Sequence, residues 1–308
     1  GSLWRWPGSR KRRIELQVID SARNSAVRAY KECVARGIPG LVPLEGFRLV
    51  QDALHAGATV VTLYVAEEAV ASAAGRRLAE LGRERGANVI IVSDGVAKRM
   101  ADTRNPQGVF ATAAWAPQEG ASVLTKAAKG EKPSFVVLLD GISDPGNLGT
   151  IVRAAAALGA AGVVAGPGCA GFGNPKVVRA SMGSIFRIPA ARAEELEDFI
   201  GRARALDYEI IVSDVRKGIS ADELAWPRPG TERAILAMGS EARGVSEAVC
   251  RHATAWVRLD MSRGIESLNA ASAASILTYV LGRNVARWRR DGEGRSAQGP
   301  EKGPTEAE

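Results

Sequence analysis

The stretch "SFVVLLDGISDPGNLGTIVRAAAALG", residues 134–159, joins an apolar run to a turn and then to a helical pattern. The run has the length of a strand and no alternation of polar residues, which is typical of a strand buried on both faces of a sheet. Gly159 follows the helical pattern and predicts a left-handed cap at its end. The stretch therefore predicts one strand–turn–helix unit of an α/β fold.

Apolar runs of the same kind follow at residues 161–166, 208–214, 234–240 and 253–261. Most of them are succeeded by a loop and a helical pattern, so strands and helices alternate. This alternation predicts a parallel sheet that is covered by helices on both faces. The last and longest helix is predicted over residues 267–288, with Ser267 as its N-cap.

The amino-terminal part predicts a smaller α/β domain, with helices at 24–37, 46–57 and 73–86 and strands at 59–66 and 88–94. The predicted division is a basic, flexible arm (1–24), this small domain (25–115), a linker (116–133), the large domain (134–288) and a disordered tail (289–308). The linker is inferred from its Pro, Gly, Lys and Ala content. The tail is inferred from its charge and its lack of large apolar residues.

Basic residues outnumber acidic ones along the chain. Lys plus Arg exceed Asp plus Glu by 41 − 34 = 7. This balance favours a polyanionic partner such as nucleic acid, and the alternative is a solvated basic surface. The basic cluster at residues 10–13 is an RNA-contacting arm, the end of a targeting segment or a solvated tail. No run of about eighteen apolar residues occurs, so no membrane span is predicted.

Cysteine and histidine usage argues against structural disulfides and metals. The three cysteines, Cys33, Cys169 and Cys250, are far apart and odd in number, so they predict neither a disulfide framework nor a Cys-x-x-Cys metal pair. With His55 and His252 as the only histidines, a zinc site is not expected. These features are typical of a protein in a reducing compartment. Any acid–base chemistry has to use side chains other than histidine.

The turn in the opening stretch has features that a plain crossover helix does not need. Asn147 is placed as an N-cap and is either a cap or a site residue. Gly146 and Gly149 permit close backbone approach, as a nucleotide site needs, but their spacing matches neither the phosphate loop nor the dinucleotide fingerprint. Arg153 is a charged residue in a helical pattern whose other residues are apolar or small. It is either an exposed-face arginine or a functional group.

Two later loops, "MGSEARGVS" (238–246) and "LDMSRGIESLNAASAA" (259–274), also follow predicted strands. The carboxyl ends of parallel strands meet at one edge of a sheet, where ligands gather. Glu241 is either an acid at a helix N-terminus or a site residue. Ser267 and Asn269 are likewise caps or site residues. The three loops together predict a binding site at this edge.

In this order the three loops resemble the motifs of the SpoU/TrmH family of RNA ribose 2′-O-methyltransferases, within the SPOUT superfamily. "NLGTIVR" (147–153) is similar to the first family motif, "GSEARG" (239–244) to the second and "SLN" (267–269) to the third. The resemblance covers residues 134–288. Residues 25–115, through "LEGFRLVQDAL" and "DTRNPQGVFA", resemble less specifically the RNA-binding substrate domain of many members, which is related in fold to ribosomal proteins.

The resemblance implies a SPOUT-type fold, in which the parallel sheet flanked by helices carries a trefoil knot near its carboxyl end. It implies S-adenosylmethionine as methyl donor, no metal, ribosomal RNA as the RNA partner, and a homodimer whose active site lies near the subunit interface. The implied cofactor contacts are Met238, Gly239, Leu259, Met261, Leu268 and Asn269.

The resemblance also implies catalytic roles. Arg153 would be the principal catalytic residue. The residues implied to arrange it, the cofactor or the ribose are Asn147, Glu241, Ser267 and Asn269. The sequence departs from the family where Asp260 replaces a usual proline and Arg263 stands where glycine is common.

The role of Arg153 has two physical interpretations. The family is usually described with this arginine activating the ribose hydroxyl, although an arginine normally keeps its proton. Alternatively, Arg153 holds the neighbouring phosphate and stabilises developing oxyanion charge, while the proton passes to water or to a phosphate oxygen. The sequence leaves both open.

Other functions are alternatives to methylation of ribosomal RNA. A 2′-O-methyltransferase acting on transfer RNA and a non-catalytic RNA-binding ribosome assembly factor are the alternatives, and the intact Arg153, Glu241 and Asn269 speak against the second. A nicotinamide-dependent oxidoreductase is disfavoured because the glycine spacing is wrong. The expected location is the cytoplasm, with an organellar matrix as the alternative.

Overall fold

The computed structural model describes residues 3–5, 15–263 and 266–297. Contacts between residues divide the chain into two compact units. The first unit comprises residues 1–117, 143–153 and 170–189, and the second comprises residues 118–142, 154–169 and 190–308. Each unit is built around its own β-sheet.

The first sheet is mixed. Its elements and their neighbours run in the order β1 (Leu3–Arg5), β2 (Glu15–Ile19), α1 (Ser25–Arg36), β3 (Leu41–Glu45), α2 (Phe47–His55), β4 (Thr59–Ala66), α3 (Glu67–Ala71), α4 (Ala73–Glu84), β5 (Asn88–Val92), α5 (Asp94–Met100) and β6 (Val109–Ala114). The strand order is β1-β2-β5-β4-β6-β3, with β2, β5 and β4 parallel and the remaining pairs antiparallel. The small α/β domain expected from the sequence has this architecture.

Local signals in the sequence explain where the helices of this unit begin. The side chain of Asn24 accepts a hydrogen bond from the Ala26 amide at the start of α1, and Ser72 does the same for the Gly75 amide at the start of α4. Such side-chain oxygens satisfy amides that have no partner inside the helix. Helix α4 then buries Leu78 in a core that includes Leu44. Helix α1 buries Val27 and Tyr30 in a second core, which includes Phe110.

The second sheet is entirely parallel. The remaining elements run in the order β7 (Gln118–Glu119), α6 (Gly120–Lys129), β8 (Ser134–Asp140), α7 (Pro145–Ala157), β9 (Gly162–Ala165), α8 (Pro175–Ala180), β10 (Ala190–Arg192), α9 (Leu196–Ala205), β11 (Glu209–Ser213), β12 (Ile219–Ser220), β13 (Arg233–Gly239), α10 (Glu247–Cys250), β14 (Ala255–Arg258) and α11 (Ala270–Ala297). The strand order is β12-β14-β11-β13-β8-β9-β10-β7. This confirms the parallel sheet predicted from the apolar runs.

Strand β8 lies inside this sheet, and all of its residues are buried. It pairs with β13 in parallel, and the register places Gly239 opposite Asp140 at the ends of the two strands. On the other side of β13, β11 ends at Ser213 and pairs with β14. The loops that follow β8, β11, β13 and β14 therefore leave the same edge of the sheet.

Helix α7 begins earlier than the sequence suggested. It starts at Pro145, and the Asp144 side chain accepts a hydrogen bond from the Asn147 amide at 2.7 Å. Asp144 rather than Asn147 therefore acts as the cap. The reason is that proline is well suited to the first helical position, which places the cap one residue before it. Asn147 lies in the first turn of the helix.

Helix α11 begins later than predicted and ends later. The side-chain oxygen of Asn269 accepts hydrogen bonds from the amides of Ala271 and Ser272, so Asn269 and not Ser267 is the N-cap. The helix continues to Ala297, past the predicted end at residue 288. The first residues of the expected disordered tail, 289–297, are thus helical. Residues 298–308 lie outside the described residues.

Two other segments differ from the sequence expectation. The expected linker, 116–133, contains β7 and α6, and α6 buries Val123 and Leu124 in the core of the second unit. Its Ala and Lys content suits a helix as well as a linker. The expected arm, 1–24, contributes β1 and β2, while the basic cluster at 10–13 lies outside the described residues.

Two further expectations from the sequence concern membrane spans and the knot. Over the residues that the structure describes, none of the helices is long and apolar enough to cross a membrane. The trefoil knot implied by the resemblance is not addressed by strand order alone and stays a prediction.

The close approach of α11 to Leu158 gives a test of the second unit. A Cβ added to Gly282 would overlap the main-chain oxygen of Leu158, so Gly282→Ala should lower the free energy of unfolding by about 1–3 kcal/mol. Gly201 on α9 is exposed and has no atom within 4 Å of an added Cβ. Gly201→Ala should therefore stabilise by up to about 1 kcal/mol through helix propensity. Chemical denaturation checks both, and equal effects would contradict the packing described.

Candidate active site

The turn after β13 is built on two glycines. Ser240 and Gly244 exchange two main-chain hydrogen bonds, and Gly244 has a positive φ of 65°. A Cβ added to Gly239 would overlap the main chain of Gly244 and Val245. Only glycine fits at residue 239, because the chain folds back against it. The spacing of the "GSEARG" motif is therefore a consequence of the turn.

The side chain of Glu241 connects this turn to the start of α11. Its Oε1 atom accepts hydrogen bonds from the Ala270 amide at 2.8 Å and from the Asn269 side-chain amide at 3.2 Å. The sequence left open that Glu241 is an acid at a helix N-terminus. It is one, but at the N-terminus of α11 rather than of the next helix along the chain. A carboxylate is stabilised there by the unpaired amides and the helix dipole.

A second carboxylate fixes the far end of the same turn. Asp140, at the end of β8, is buried, and its Oδ2 atom accepts a hydrogen bond from the Ser246 amide at 2.7 Å. A buried carboxylate needs such a partner because burial without one is unfavourable. The turn between β13 and α10 is thus held at both ends, by Asp140 and by Glu241.

A cavity lies at the carboxyl ends of β11, β13 and β14. Its lining residues are Ser213, Asp214, Val215, Met238, Gly239, Ser240, Glu241, Gly244, Leu259, Met261, Ser267, Leu268, Ala270 and Ala273. The second and third predicted loops therefore meet at one cavity of the second unit. Asn269 adjoins it through its hydrogen bond to Glu241.

The cavity combines apolar side chains with main-chain and acidic groups. Met238, Leu259, Met261 and Leu268 give it an apolar lining, and the missing Cβ at Gly239 leaves main chain accessible. Such a lining suits a ligand that combines apolar parts with a few polar groups. Asp214 and Glu241 supply negative charge, which favours a cationic ligand.

The loop after β14 carries the two departures from the family pattern. Asp260 accepts a hydrogen bond from the Arg258 side chain at 3.1 Å. A hydrogen bond from the Ser220 side chain, together with this arginine, lowers the pKa of the Asp260 carboxyl. Asp260 thus has partners of its own on β12 and β14. Arg263 is exposed, and the two residues after it lie outside the described part of the chain.

Asn147 and Arg153 lie on the part of α7 that belongs to the first contact unit. Asn147 is half-buried in the first turn, and Arg153 is exposed, on the same side of the helix as Thr150 and Ala157. An exposed arginine is compatible with both alternatives left open by the sequence. The approach of Asn147 and Arg153 to the cavity stays a prediction.

Sequence reasoning missed several residues around the cavity. Ser213, Asp214 and Val215 line it, and Asp140 supports its turn. The signal was present, since each lies at or just beyond the carboxyl end of a predicted strand. The rule that ligands collect at that edge would have identified them.

Neither a cluster of metal ligands nor a reactive form of the Cys169 thiol is indicated among the described residues. No group of three or more His, Cys, Asp or Glu side chains that could hold a metal ion occurs among them. Cys169, near the end of β8, receives a hydrogen bond from the Ile142 amide and donates one to the Leu139 carbonyl oxygen. Burial raises the pKa of the Cys169 thiol, which disfavours the reactive thiolate form.

Known families and proteins are similar to this chain. The SpoU rRNA Methylase family matches residues 134–279, and the family described as RNA 2′-O ribose methyltransferase substrate binding matches residues 43–118. The chain is 30% identical to the 23S rRNA (guanosine(2553)-2′-O)-methyltransferase RlmP of Bacillus subtilis over 269 residues, which are 86% of this chain and 99% of that protein.

Solved structures are similar over most of the chain. The AdoMet-bound rRNA methyltransferase from Sinorhizobium meliloti has a TM-score of 0.75 and 28% identity, covering 88% of this chain and 98% of that one. The SpoU methyltransferase AviRb from Streptomyces viridochromogenes, in complex with AdoMet, has a TM-score of 0.71 and 26% identity, covering 86% and 100%. The resemblance inferred from the three loops is confirmed. The chain belongs to the SpoU family of RNA methyltransferases, with a SpoU substrate-binding segment ahead of its methylase segment.

Proposed function

We propose that this protein transfers a methyl group from S-adenosylmethionine to a ribose 2′-hydroxyl of ribosomal RNA. The observation that carries the proposal is the cavity of the second unit, which is lined by the predicted residues Met238, Gly239, Glu241, Leu259, Met261, Ser267 and Leu268. Family membership supports the reaction, and the 23S rRNA activity in the name of RlmP supports the substrate. The net charge of +7 suits an RNA partner.

Different residues of the cavity would have different roles in holding the cofactor. Main-chain groups at Gly239 and the apolar side chains of Leu259 and Leu268 would hold its ring, and Glu241 would keep the two sides of the cavity at a fixed separation. When bound, S-adenosylmethionine supplies a methyl carbon that the adjoining sulfonium activates towards a nucleophile. The protein then mainly has to align the ribose oxygen with this carbon, and such positioning accounts for much of the rate gain in reactions of this kind.

Arg153 is assigned the role of a cation beside the reacting ribose. Its guanidinium offers several fixed donors for the neighbouring phosphate and for the oxyanion that develops on the 2′-oxygen. It keeps its own proton, so the hydroxyl proton leaves to water or to a phosphate oxygen. Asn147, in the first turn of the same helix, would orient the ribose.

The active form is proposed to be a homodimer in the cytoplasm, joined through α11. Ile276 and Tyr279 are large apolar residues on neighbouring turns of this helix, and they are 42% and 53% exposed. Exposed apolar residues grouped on one helix face favour an interface. The small residues near the start of α11 allow another backbone to approach closely.

Removal of the guanidinium tests the reaction. Arg153→Ala should lower transfer of tritiated methyl to ribosomal RNA by about 100-fold or more, because loss of one preorganised donor costs on that order. Arg202→Ala, which removes an exposed arginine from α9, is the matched control and should keep its activity. Unchanged turnover in Arg153→Ala, with a folded circular dichroism spectrum, contradicts the assigned role.

Glu241→Ala tests how the cavity is held. The change removes the acceptor for Asn269 and Ala270, so the affinity for S-adenosylmethionine should fall roughly tenfold. Glu247→Ala removes an exposed acid from the first turn of α10 and serves as the control. Isothermal titration calorimetry measures both, and equal affinities in the two variants would argue against a structural link at Glu241.

Oligomeric state tests the proposed interface. Sedimentation of the unaltered protein should give twice the chain mass of 32.4 kDa. Ile276→Glu should shift the protein to monomers, because it places a charge in an apolar contact. Ile219 on β12 is equally exposed at 42%, and Ile219→Glu is the control that should remain dimeric. A dimer that survives Ile276→Glu excludes this face of α11.

A further inference from the structure

The segment 170–189 packs tightly within the first unit, although it belongs to the part matched by the methylase family. Val178 of α8 is fully buried in the same apolar core as Val42 and Leu44 of β3. The Phe172 ring meets Trp115 edge-on, with 6.1 Å between the ring centroids. This segment is therefore fixed to the sheet that carries the substrate-binding segment.

The same helix α8 also contacts the beginning of α7. A Cβ added to Gly149 would lie 2.5 Å from the main-chain oxygen of Val177 and 2.6 Å from the Ala180 side chain. Contacts this short show that the two helix backbones approach as closely as a glycine allows. A displacement of α8 would therefore move the start of α7, the helix that carries Asn147 and Arg153.

Hydrogen bonds fix both ends of the loop between α5 and β6. Glu45, buried at the end of β3, accepts hydrogen bonds from the amides of Asp102 and Thr103 and from the Thr103 hydroxyl. At the other end of the loop, Gln107 accepts a hydrogen bond from the Phe47 amide at 2.8 Å. A loop pinned at both ends presents its outward side chains in a fixed arrangement.

The outward side chains of this loop suit RNA. Arg104 and Asn105 are exposed, and together with Lys98 of α5 they line one cavity of the first unit. Cations position phosphates and amide side chains read base edges, so this set offers both kinds of contact. The loop lies within the stretch matched by the substrate-binding family.

One ion pair joins the loop to α8. Arg179 Nη2 lies 2.9 Å from Asp102 Oδ2, and both side chains are partly exposed. Pairs with this exposure contribute little to stability. A described chain of contacts thus runs from the loop, through Arg179, to α8 and on to the start of α7.

We propose that Arg179 is a positioning residue that couples RNA bound at the loop 102–107 to the placement of α7. The inference rests on the proposed function, because it assumes that α7 carries groups that act on the ribose. RNA contacts would fix Asp102, Asp102 would fix Arg179 on α8, and α8 would fix Asn147 and Arg153 through the contact at Gly149. Methyl transfer then proceeds fully only when the substrate occupies the loop.

A double-mutant cycle with kinetics tests the coupling. Arg179→Ala and Asp102→Ala should each lower kcat on ribosomal RNA about tenfold, since small misplacements of reacting groups have effects of this size. The double variant should be no slower than either single variant, because the two residues act through one contact. Exchange of the two charges, Arg179→Asp with Asp102→Arg, should restore most of kcat. Arg187→Ala, an exposed arginine of the same segment, should behave as the unaltered protein.

Additive losses in the double variant, or a loss confined to KM, would overturn the coupling. The affinity for S-adenosylmethionine and the melting temperature should stay unchanged in all variants. A fall in either would instead indicate a structural role for Arg179.

Hydrogen exchange gives a readout that does not depend on activity. In Arg179→Ala, amides of residues 102–107 and of residues 145–153 should both exchange several-fold faster, since the described contacts link them. Faster exchange confined to α8 would overturn the proposal. If the unaltered protein methylates no RNA, the proposed function fails, while the exchange pattern still decides whether the loop and α7 are coupled.

Discussion

The carboxylate of Glu241 holds together two segments that are far apart in the sequence. It accepts hydrogen bonds from Asn269 and from the Ala270 amide, and so joins the turn after β13 to the start of the last helix. A helix N-terminus presents amides without internal partners and a partial positive charge, which makes a carboxylate the favoured group there. The cavity lies between these two segments, so its shape depends on this contact.

The first unit contains a similar contact between a carboxylate and main-chain amides. Buried Glu45 accepts main-chain hydrogen bonds from Asp102 and Thr103 and holds a loop rather than a helix. In both units a carboxylate is placed where main-chain amides lack other partners, and the segment it fixes carries the residues assigned to ligand binding. Preorganised sites gain from such support, because binding then requires little ordering of the chain.

The sequence predicted the parallel sheet because a strand such as β8 is apolar at every position between Ser134 and Asp140, and burial on both faces demands that pattern. It linked Gly149 to close approach by a nucleotide, whereas the structure places Gly149 against Val177 of α8. The caps of α7 and α11 were predicted three and two residues away from the observed caps, Asp144 and Asn269, since neighbouring polar side chains offer similar oxygens. The contact between Glu241 and Ala270 could not be predicted, because no local pattern reports a partner so distant in the chain.

The central claim is that the cavity serves methyl transfer to ribose. The direct measurement is mass spectrometry of nucleosides from ribosomal RNA that has been incubated with the protein and with S-adenosylmethionine carrying a trideuterated methyl group. The account predicts that a single nucleoside carries the added mass and carries it on the sugar. In the intact RNA, the phosphodiester bond on the 3′ side of this nucleotide should resist alkaline cleavage. Label on a base, or no label in RNA incubated with folded protein, would contradict it.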